Sequence, residues 1–189
     1  MANEFGAYHI ADNPELYEPA RVNNYQLIIT GIDSLLKAGV DEATAQETDY
    51  FKNAQEVIRV SVESTAVPSF DINVLEVKRG NSVTKFAGTP TFSESDIKLV
   101  DYMGAKTRDI MYAWQALAYD VRSEKISKST KYKKDCILVE YSPDYNEVLR
   151  TITLKGCWVS SVKADDFDNN SDDIRKVEAT LVYDKFIVE

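Results

Sequence analysis

Apolar side chains fall at every second position in one segment of this chain after another, and at helical spacing in only one. A period of two is the mark of a strand with one buried face. NYQLIITGI, Asn24 to Ile32, places Tyr25, Leu27 and Ile29 on one side. EVIRVSVEST, Glu56 to Thr65, puts Ile58, Val60 and Val62 on one face and Arg59, Ser61 and Glu63 on the other. In FDINVLEVKRG, Phe70 to Gly80, the apolar phase shifts between Val74 and Leu75, which predicts a bulge or burial on both faces. Arg79-Gly80-Asn81-Ser82 reads as a turn, VTKFAG as its hairpin partner, and Gly88-Thr89-Pro90 as a break. Ser95 to Asp101 alternates with Ile97 and Leu99 inward. CILVEYS, VLRTITLKG and WVSSVKA follow, the first two joined by a turn at Pro143–Asn146. VEATLVYDKF closes the series, with Val177, Ala179, Leu181 and Tyr183 on one face.

The helical exception is Thr107 to Val121. Ile110, Ala113, Trp114, Leu117 and Val121 form an i, i+3, i+4, i+7 stripe that should lie on a sheet. Thr107 is the expected N-cap, and Asp109 sits in the first turn, where the helix dipole favours a carboxylate. About eight or nine short strands and one helix, with no βα alternation, predict a mainly β chain. The expected architecture is an antiparallel β-sandwich or barrel with one packed α-helix at about residues 107–121.

Two segments stand outside this pattern. Residues 1–23 carry Pro14 and Pro19 and no sustained period, and read as an N-terminal arm to a single domain over 24–189. The polar stretch at about 33–55 has weak helical character in SLLKAG and is long for a connection, so it reads as a functional loop. The N-terminus lacks the basic and apolar regions of a secretory signal, and no run of 18 apolar residues offers a membrane anchor. The expected compartment of synthesis is a reducing cytoplasm.

The chemistry available is narrow. The chain has one histidine, His9, in the arm, and two cysteines, Cys136 and Cys157. Neither G-x-G-x-x-G, nor G-x-x-x-x-G-K-[ST], nor G-x-S-x-G occurs. In ADDFDNNSDD, Asp166, Asp168, Asn170 and Asp172 alternate like the first ligands of a calcium loop. However, Ser171 stands where that loop needs glycine, and Val177 where it needs glutamate, so a solvated acidic loop is the simpler reading. The basic run Arg122 to Lys134 admits three readings: a phosphate contact, a solvated connector, or a patch that meets an acidic patch on a second copy. A turn centred near Tyr145 sets Cys136 opposite about residue 154. Cys157 would then lie roughly 10 Å away at strand rise, too far for a bridge within the chain, while a bridge to another molecule in an assembled, oxidised particle stays open. With 31 acids against 22 bases the net charge is −9, which argues against a nucleic-acid clamp.

The order of these elements is recognisable. NNYQLIITGI, VIRVSVEST, LEVKRGNSVTKFAGTPTFSESDIKLVDYMG, RDIMYAWQAL and ITLKGCWVSSVKADDFDNNSDDIRKVEATLVYDKF follow one another as in a known family. The chain resembles the tail tube proteins of contractile-tailed bacteriophages, whose fold is shared with the ring-forming tube protein of type VI secretion and other contractile injection systems. The resemblance covers about residues 24–186. It departs in having Val159 after Trp158, where the family often has proline, and in the length of the 33–55 segment.

What the resemblance implies is a structural virion protein and not an enzyme, with no cofactor and no bound metal. Hexameric rings of the subunit would stack into a tube that conducts genome DNA to the host without binding it specifically. An acidic wall suits that task, because like charge keeps DNA from adhering. Implied partners are further copies of the chain and the tail sheath, baseplate and tail terminator proteins. The implied location is the virion tail, assembled in the host bacterial cytoplasm. Trp114, Ile110, Leu117 and Trp158 would anchor the core. Tyr50, Phe51, Lys131, Lys133, Lys134, Asp166 and Asp168 are candidate inter-subunit contacts. Two alternatives stay open: a ring or tube protein of a bacterial contractile injection or type VI secretion system, and a monomeric β-sandwich binding module.

Overall fold

At Pro143–Asn146 the chain reverses by local hydrogen bonding. The Asp144 carboxylate accepts from the Asn146 backbone N–H at 3.2 Å and from the Ser142 hydroxyl, and Tyr145 takes a positive φ of 61°. This turn sets strand β8 (Lys134–Tyr141) against strand β9 (Val148–Ala164), with Cys136 opposite Leu154, as the turn position predicts. The computed structural model describes residues 18–39, 53–170 and 172–189.

β9 organises the molecule. VLRTITLKG and WVSSVKA are one strand of 17 residues, and not the expected two. Gly156 adopts φ +70°, and the carboxylate of Asp135 on β8 accepts its N–H at 3.2 Å. The ladder therefore absorbs an extra residue as a bulge without ending the strand. The first half of β9 pairs with β8 and, on its other side, with β11 (Lys185–Val188). The second half pairs with β10 (Lys176–Val182). β1 (Tyr25–Ile29) extends one end of the sheet and β5 (Ser95–Val100) and β2 (Val62–Thr65) the other, in the order β1-β8-β9-β10-β5-β2. Each of these pairings is antiparallel.

The inward faces follow the alternation. Leu27, Ile29, Leu138, Ile152 and Leu154 are buried on one limb, and Ile97, Leu99, Val177, Ala179 and Leu181 on the other. Among the described residues, α2 (Ala54–Ser61) and α3 (Thr107–Ala118) cover them, and α1 (Ile32–Gly39) packs on these two helices. Each large apolar side chain fully buried there contributes roughly 1.5–3 kcal/mol.

The helices depart from the local reading in four places. Residues 56–61 are helix, and only Val62–Thr65 is strand. In AQEVIRVS the buried residues are Ala54, Ile58 and Ser61, spaced i, i+4, i+7, while Val60 is exposed. The expected 33–55 loop begins as α1 and ends in α2; residues 40–52, with Tyr50 and Phe51, lie outside the described residues, as do 1–17 of the expected arm. Thr107 is not a cap. It is the first residue of α3, preceded by Lys106 in the left-handed region, and its hydroxyl meets that of Ser61 at 3.0 Å in the core. α3 also stops at Ala118, which leaves Val121 exposed.

The remaining strands leave the body. Among the described residues, β3 (Phe70–Arg79) and β4 (Ser82–Phe92) pair only with each other, and every residue of β3 is exposed. The phase shift in β3 therefore marks neither burial on two faces nor a kink at Val74–Leu75. The bulge sits one step earlier, where Asn73 faces Gly88 and Thr89. A Cβ at Gly88 would approach the Asn73 carbonyl oxygen to 2.7 Å, so a side chain there would push the strands apart. The expected break at Gly88–Pro90 is thus a bulge inside β4. A two-residue ladder, β6 (Tyr119–Asp120) with β7 (Lys125–Ile126), follows α3.

Candidate assembly surface

Ile72, Val74, Leu75, Val83 and Phe86 of the β3–β4 hairpin are each about half exposed or more. Leu75 lies opposite Phe86 and Val77 opposite Thr84, so these four share a face with Arg79. Val74, Ala87 and Val83 share the other face with Glu76, Lys78 and Lys85. An isolated two-stranded hairpin is marginal in water. Here it is rooted by an aromatic cluster in which the Phe70, Phe92 and Phe186 rings lie 5.7–5.9 Å apart and Tyr183 packs on their edges. Beyond that root, both faces of the hairpin carry bare apolar side chains, interleaved with Glu76, Lys78, Arg79 and Lys85.

A second opening lies between the edge strands β1 and β2. A groove of about 600 Å³ is lined there by Val22, Leu27, Val62, Val67, Leu138 and Leu149, with Arg59, Glu63 and Glu140 among its polar residues. The Tyr25 hydroxyl crosses it to donate to the Glu63 carbonyl at 2.9 Å. Burial, then the Glu63 charge, pushes the Tyr25 hydroxyl pKa up. The outward face of β5, β10 and the second half of β9 is polar instead. It carries Asp96, Lys98, Ser161, Lys163, Glu178 and Thr180, with Lys98 and Glu178 2.6 Å apart.

The structure distributes the residues singled out from sequence. Trp114 and Ile110 are fully buried, and Leu117 is half-buried against the core. Trp114 Nε1 donates to the Tyr132 carbonyl at 2.8 Å, and the Tyr132 ring meets Trp158 edge-on at 5.7 Å. Both tryptophans thus hold the end of the basic run Arg122–Lys134 against the body. Lys133 is used within the subunit, 2.7 Å from Asp184. Lys134 is half-buried, and Lys131 is exposed in a short 3₁₀ turn. Asp166 and Asp168 are exposed in the loop after β9, where Asp168 accepts the Asn170 N–H at 2.9 Å. Among the described residues, no group of three or more His, Cys, Asp or Glu is placed to hold a metal ion.

The cysteines require a correction. Both are free and buried, and they lie one residue closer in register than strand rise suggests. The Gly156 bulge takes up a residue and brings Cys157 opposite Lys134, and its thiol turns back toward the Leu154 carbonyl at 3.7 Å, beside Cys136. The hydrogen bond between the two thiols, then burial, pushes the Cys136 pKa well above the usual thiol range. Neither sulfur reaches the surface to bridge to another molecule.

The exposed hairpin was the surface that sequence reasoning passed over. Its signal was present: an alternating strand with apolar residues on both faces, and charges on both faces that do not say which is outward.

The model of the family described as "T4-like virus tail tube protein gp19" matches residues 42–187. The tail tube protein gp19 of Enterobacteria phage T4 is 27% identical over 124 residues, covering 65% of this chain and 76% of that protein. Two cryo-EM structures of the extracellular contractile injection system PVC share the fold. A chain of its sheath–tube complex in the extended state superposes with a TM-score of 0.64 at 14% identity, over 98% of this chain and 99% of that one. A chain of its sheath/tube terminator gives 0.64 at 16% identity, over 92% and 99%. These relatives are structural tube components and not enzymes. With most of its length matched by the family model, the chain belongs to the T4-like tail tube protein gp19 family.

Proposed function

We propose that this chain closes into hexameric rings, and that the stacked rings form the tube of a contractile bacteriophage tail through which genome DNA passes into the host. The observation that carries the reading is the β3–β4 hairpin, whose apolar faces have no cover among the described residues of the subunit. Exposed apolar surface of this extent marks an interaction site. Closed symmetry gives such a surface a partner in every copy. The outer edges of β1 and β2, unpaired among the described residues, add backbone that a neighbour would satisfy.

In this reading residues 24–189 form one tube domain and 1–23 an arm that contacts neighbours. Lys131, Asp166 and Asp168, exposed and without ion-pair partners among the described residues, remain candidate contacts between subunits. The net charge of −9 discourages DNA from adhering to the wall. Sheath, baseplate and terminator proteins would be its partners. The likeness to chains of a sheath–tube complex and a terminator supports this. The tube would belong to the virion tail and be assembled in the host cytoplasm, with no cofactor.

A second reading is a tube protein of a bacterial contractile injection system. One observation supports it: the fold is shared over 98% of this chain with a chain of the PVC sheath–tube complex. Negative-stain electron microscopy of the purified protein, at high concentration and after long incubation, tests assembly. Rings or tubes as wide as a phage tail tube are expected. A persistent monomer by light scattering would overturn it. DNA in the lumen of tails purified with the capsid separates the phage from the injection-system reading.

A further inference from the structure

The segment after α3 is opposite in charge to the rest of the chain. Arg122–Lys134 holds six of the 22 bases and one of the 31 acids, so the remainder carries 16 bases against 30 acids. Two of the six belong to the body: Lys133 pairs with Asp184, and Lys134 is half-buried on β8. Lys131 sits apart in the 3₁₀ turn. Arg122, Lys125 and Lys128 are exposed and make no salt bridge among the described residues, although the Arg122 charge acts on Asp120.

These bases stand on a projection. Among the described residues β6 and β7 pair only with each other, and every residue from Tyr119 to Ile126 is exposed. Tyr119 lies opposite Ile126, so the two share a face, and Val121 follows in the turn. Val121 and Ile126 are 78% and 81% exposed. The projection is nonetheless braced. The Asp120 carboxylate accepts the Arg122 N–H at 2.9 Å and the Ser123 hydroxyl at 2.6 Å, and the Ala118 carbonyl accepts the Ser127 N–H at 3.0 Å. Neither the β1–β2 groove nor the polar face of β5 and β10 is lined by any of these residues.

We infer that the β6–β7 projection docks on the surface of an anionic lipid membrane. Arg122, Lys125 and Lys128 reach the headgroup phosphates, and Tyr119, Val121 and Ile126 enter the boundary between headgroups and acyl chains. Two features select lipid among anionic partners. A projection fits a flat surface, whereas a bound peptide is held in a groove. A nucleic-acid duplex would use the bases and leave the apolar side chains bare, whereas a bilayer interface takes both. The net charge of −9 does not oppose this, because repulsion from acids elsewhere on the chain is screened over about 8 Å at physiological ionic strength. The site belongs to the single subunit and goes beyond the tube reading.

Vesicle flotation with the full chain tests it. The protein should float with vesicles of equal parts phosphatidylglycerol and phosphatidylcholine, stay down with phosphatidylcholine alone, and be released by salt. Each base at an anionic surface is worth about a fivefold change in partitioning, so Lys125→Gln with Lys128→Gln should lower the bound-to-free ratio about 25-fold. Val121→Ser with Ile126→Ser should lower it about tenfold. Lys78→Gln with Arg79→Gln makes the same change in net charge at the β3–β4 turn and should float like wild type. An amine-acetylating reagent gives a readout that needs no variant: vesicles should protect Lys125 and Lys128 and leave Lys78 and Lys85 reactive. No flotation with anionic vesicles, an equal loss in the Lys78/Arg79 control, or no loss on removing Val121 and Ile126 would overturn the inference. Binding through the same lysines to a polyglutamate peptide or to duplex DNA, without flotation, would also overturn it and assign the bases to an acidic protein segment or to nucleic acid. None of these outcomes bears on whether rings or tubes form.

Discussion

Gly156→Ala probes the bulge on which the long strand turns. Gly156 sits at φ +70°, where a side chain costs about 1–2 kcal/mol. Removing glycine's freedom from the unfolded chain offsets about 0.4–1 kcal/mol of this. A second cost is steric. The new Cβ would fall 2.2 Å from Asp184 Oδ2 and 2.9 Å from its Cγ, so the carboxylate must move. Moving it breaks the contact with Lys133 Nζ, now 2.7 and 2.8 Å from the two oxygens. That pair is largely exposed, so its loss costs at most about 1 kcal/mol, and the residual crowding at the bulge about 1 kcal/mol more. The sum is about 1–3.5 kcal/mol, or roughly 2–14 °C in Tm for a chain of this length. Gly80→Ala is the control. It has the same backbone requirement, φ +61°, with nothing within 4 Å of the new Cβ, so it should lose about 1 kcal/mol or less. Urea unfolding of Gly156→Ala, Gly80→Ala, Asp184→Ala and the Gly156→Ala/Asp184→Ala double variant measures both costs. In the Asp184→Ala background the penalty of Gly156→Ala should shrink to that of Gly80→Ala. Equal losses at the two glycines, or no relief from Asp184→Ala, would refute the assignment of the clash.

Three further outcomes follow from named contacts. Arg175→Ala strips the guanidinium, 2.5 Å away, from an Asp101 side chain only 4% exposed. A loss of about 3–5 kcal/mol is expected by chemical denaturation, toward the lower end because the arginine is itself one-third exposed; Asp101→Asn/Arg175→Met should recover part of it. The hydrogen bond from Lys155, aided by the Gly156 N–H, holds the Asp135 carboxyl below the usual carboxylate range. Its stabilisation is complete above the unfolded-state pKa and disappears as pH falls through that value and then through the folded one. Asp135→Asn should therefore be less stable than wild type at neutral pH and converge with it in acid; parallel pH–stability curves would contradict this. Finally, a thiol reagent at neutral pH should leave Cys136 and Cys157 unmodified in the folded protein and label both once urea unfolds it, since burial and the raised Cys136 pKa keep thiolate away from solvent.

Alternation and turn chemistry made much of the architecture legible. The faces Ile97–Leu99 and Val177–Ala179–Leu181–Tyr183 are buried as their spacing predicts. The family was legible from element order, and the gp19 model matches the segment in which most of that order lies. The assembly surface was less so. Lys133 looked like a contact residue in a basic run, but its partner Asp184 is 51 residues away in sequence and only the fold brings them together. Leu75, Val74 and Phe86 become surface only because the hairpin leaves the body and pairs with no other strand among the described residues.

Local spacing determined the mainly β class, the β8–β9 register and the buried stripe of α3, because each depends on side-chain period and one turn. Tertiary structure decided the rest. EVIRVSV alternates well enough for a strand, yet Ala54, Ile58 and Ser61 can also share one helical face, and packing against β1 and α3 selects the helix. Whether KGC ends a strand or bulges it depends on Asp135 across the ladder receiving the Gly156 N–H. Which apolar alternation is core and which is bare surface is likewise not in the period. The same pattern buries β10 between its neighbours and exposes β3, because burial belongs to what packs on a strand and not to the strand itself.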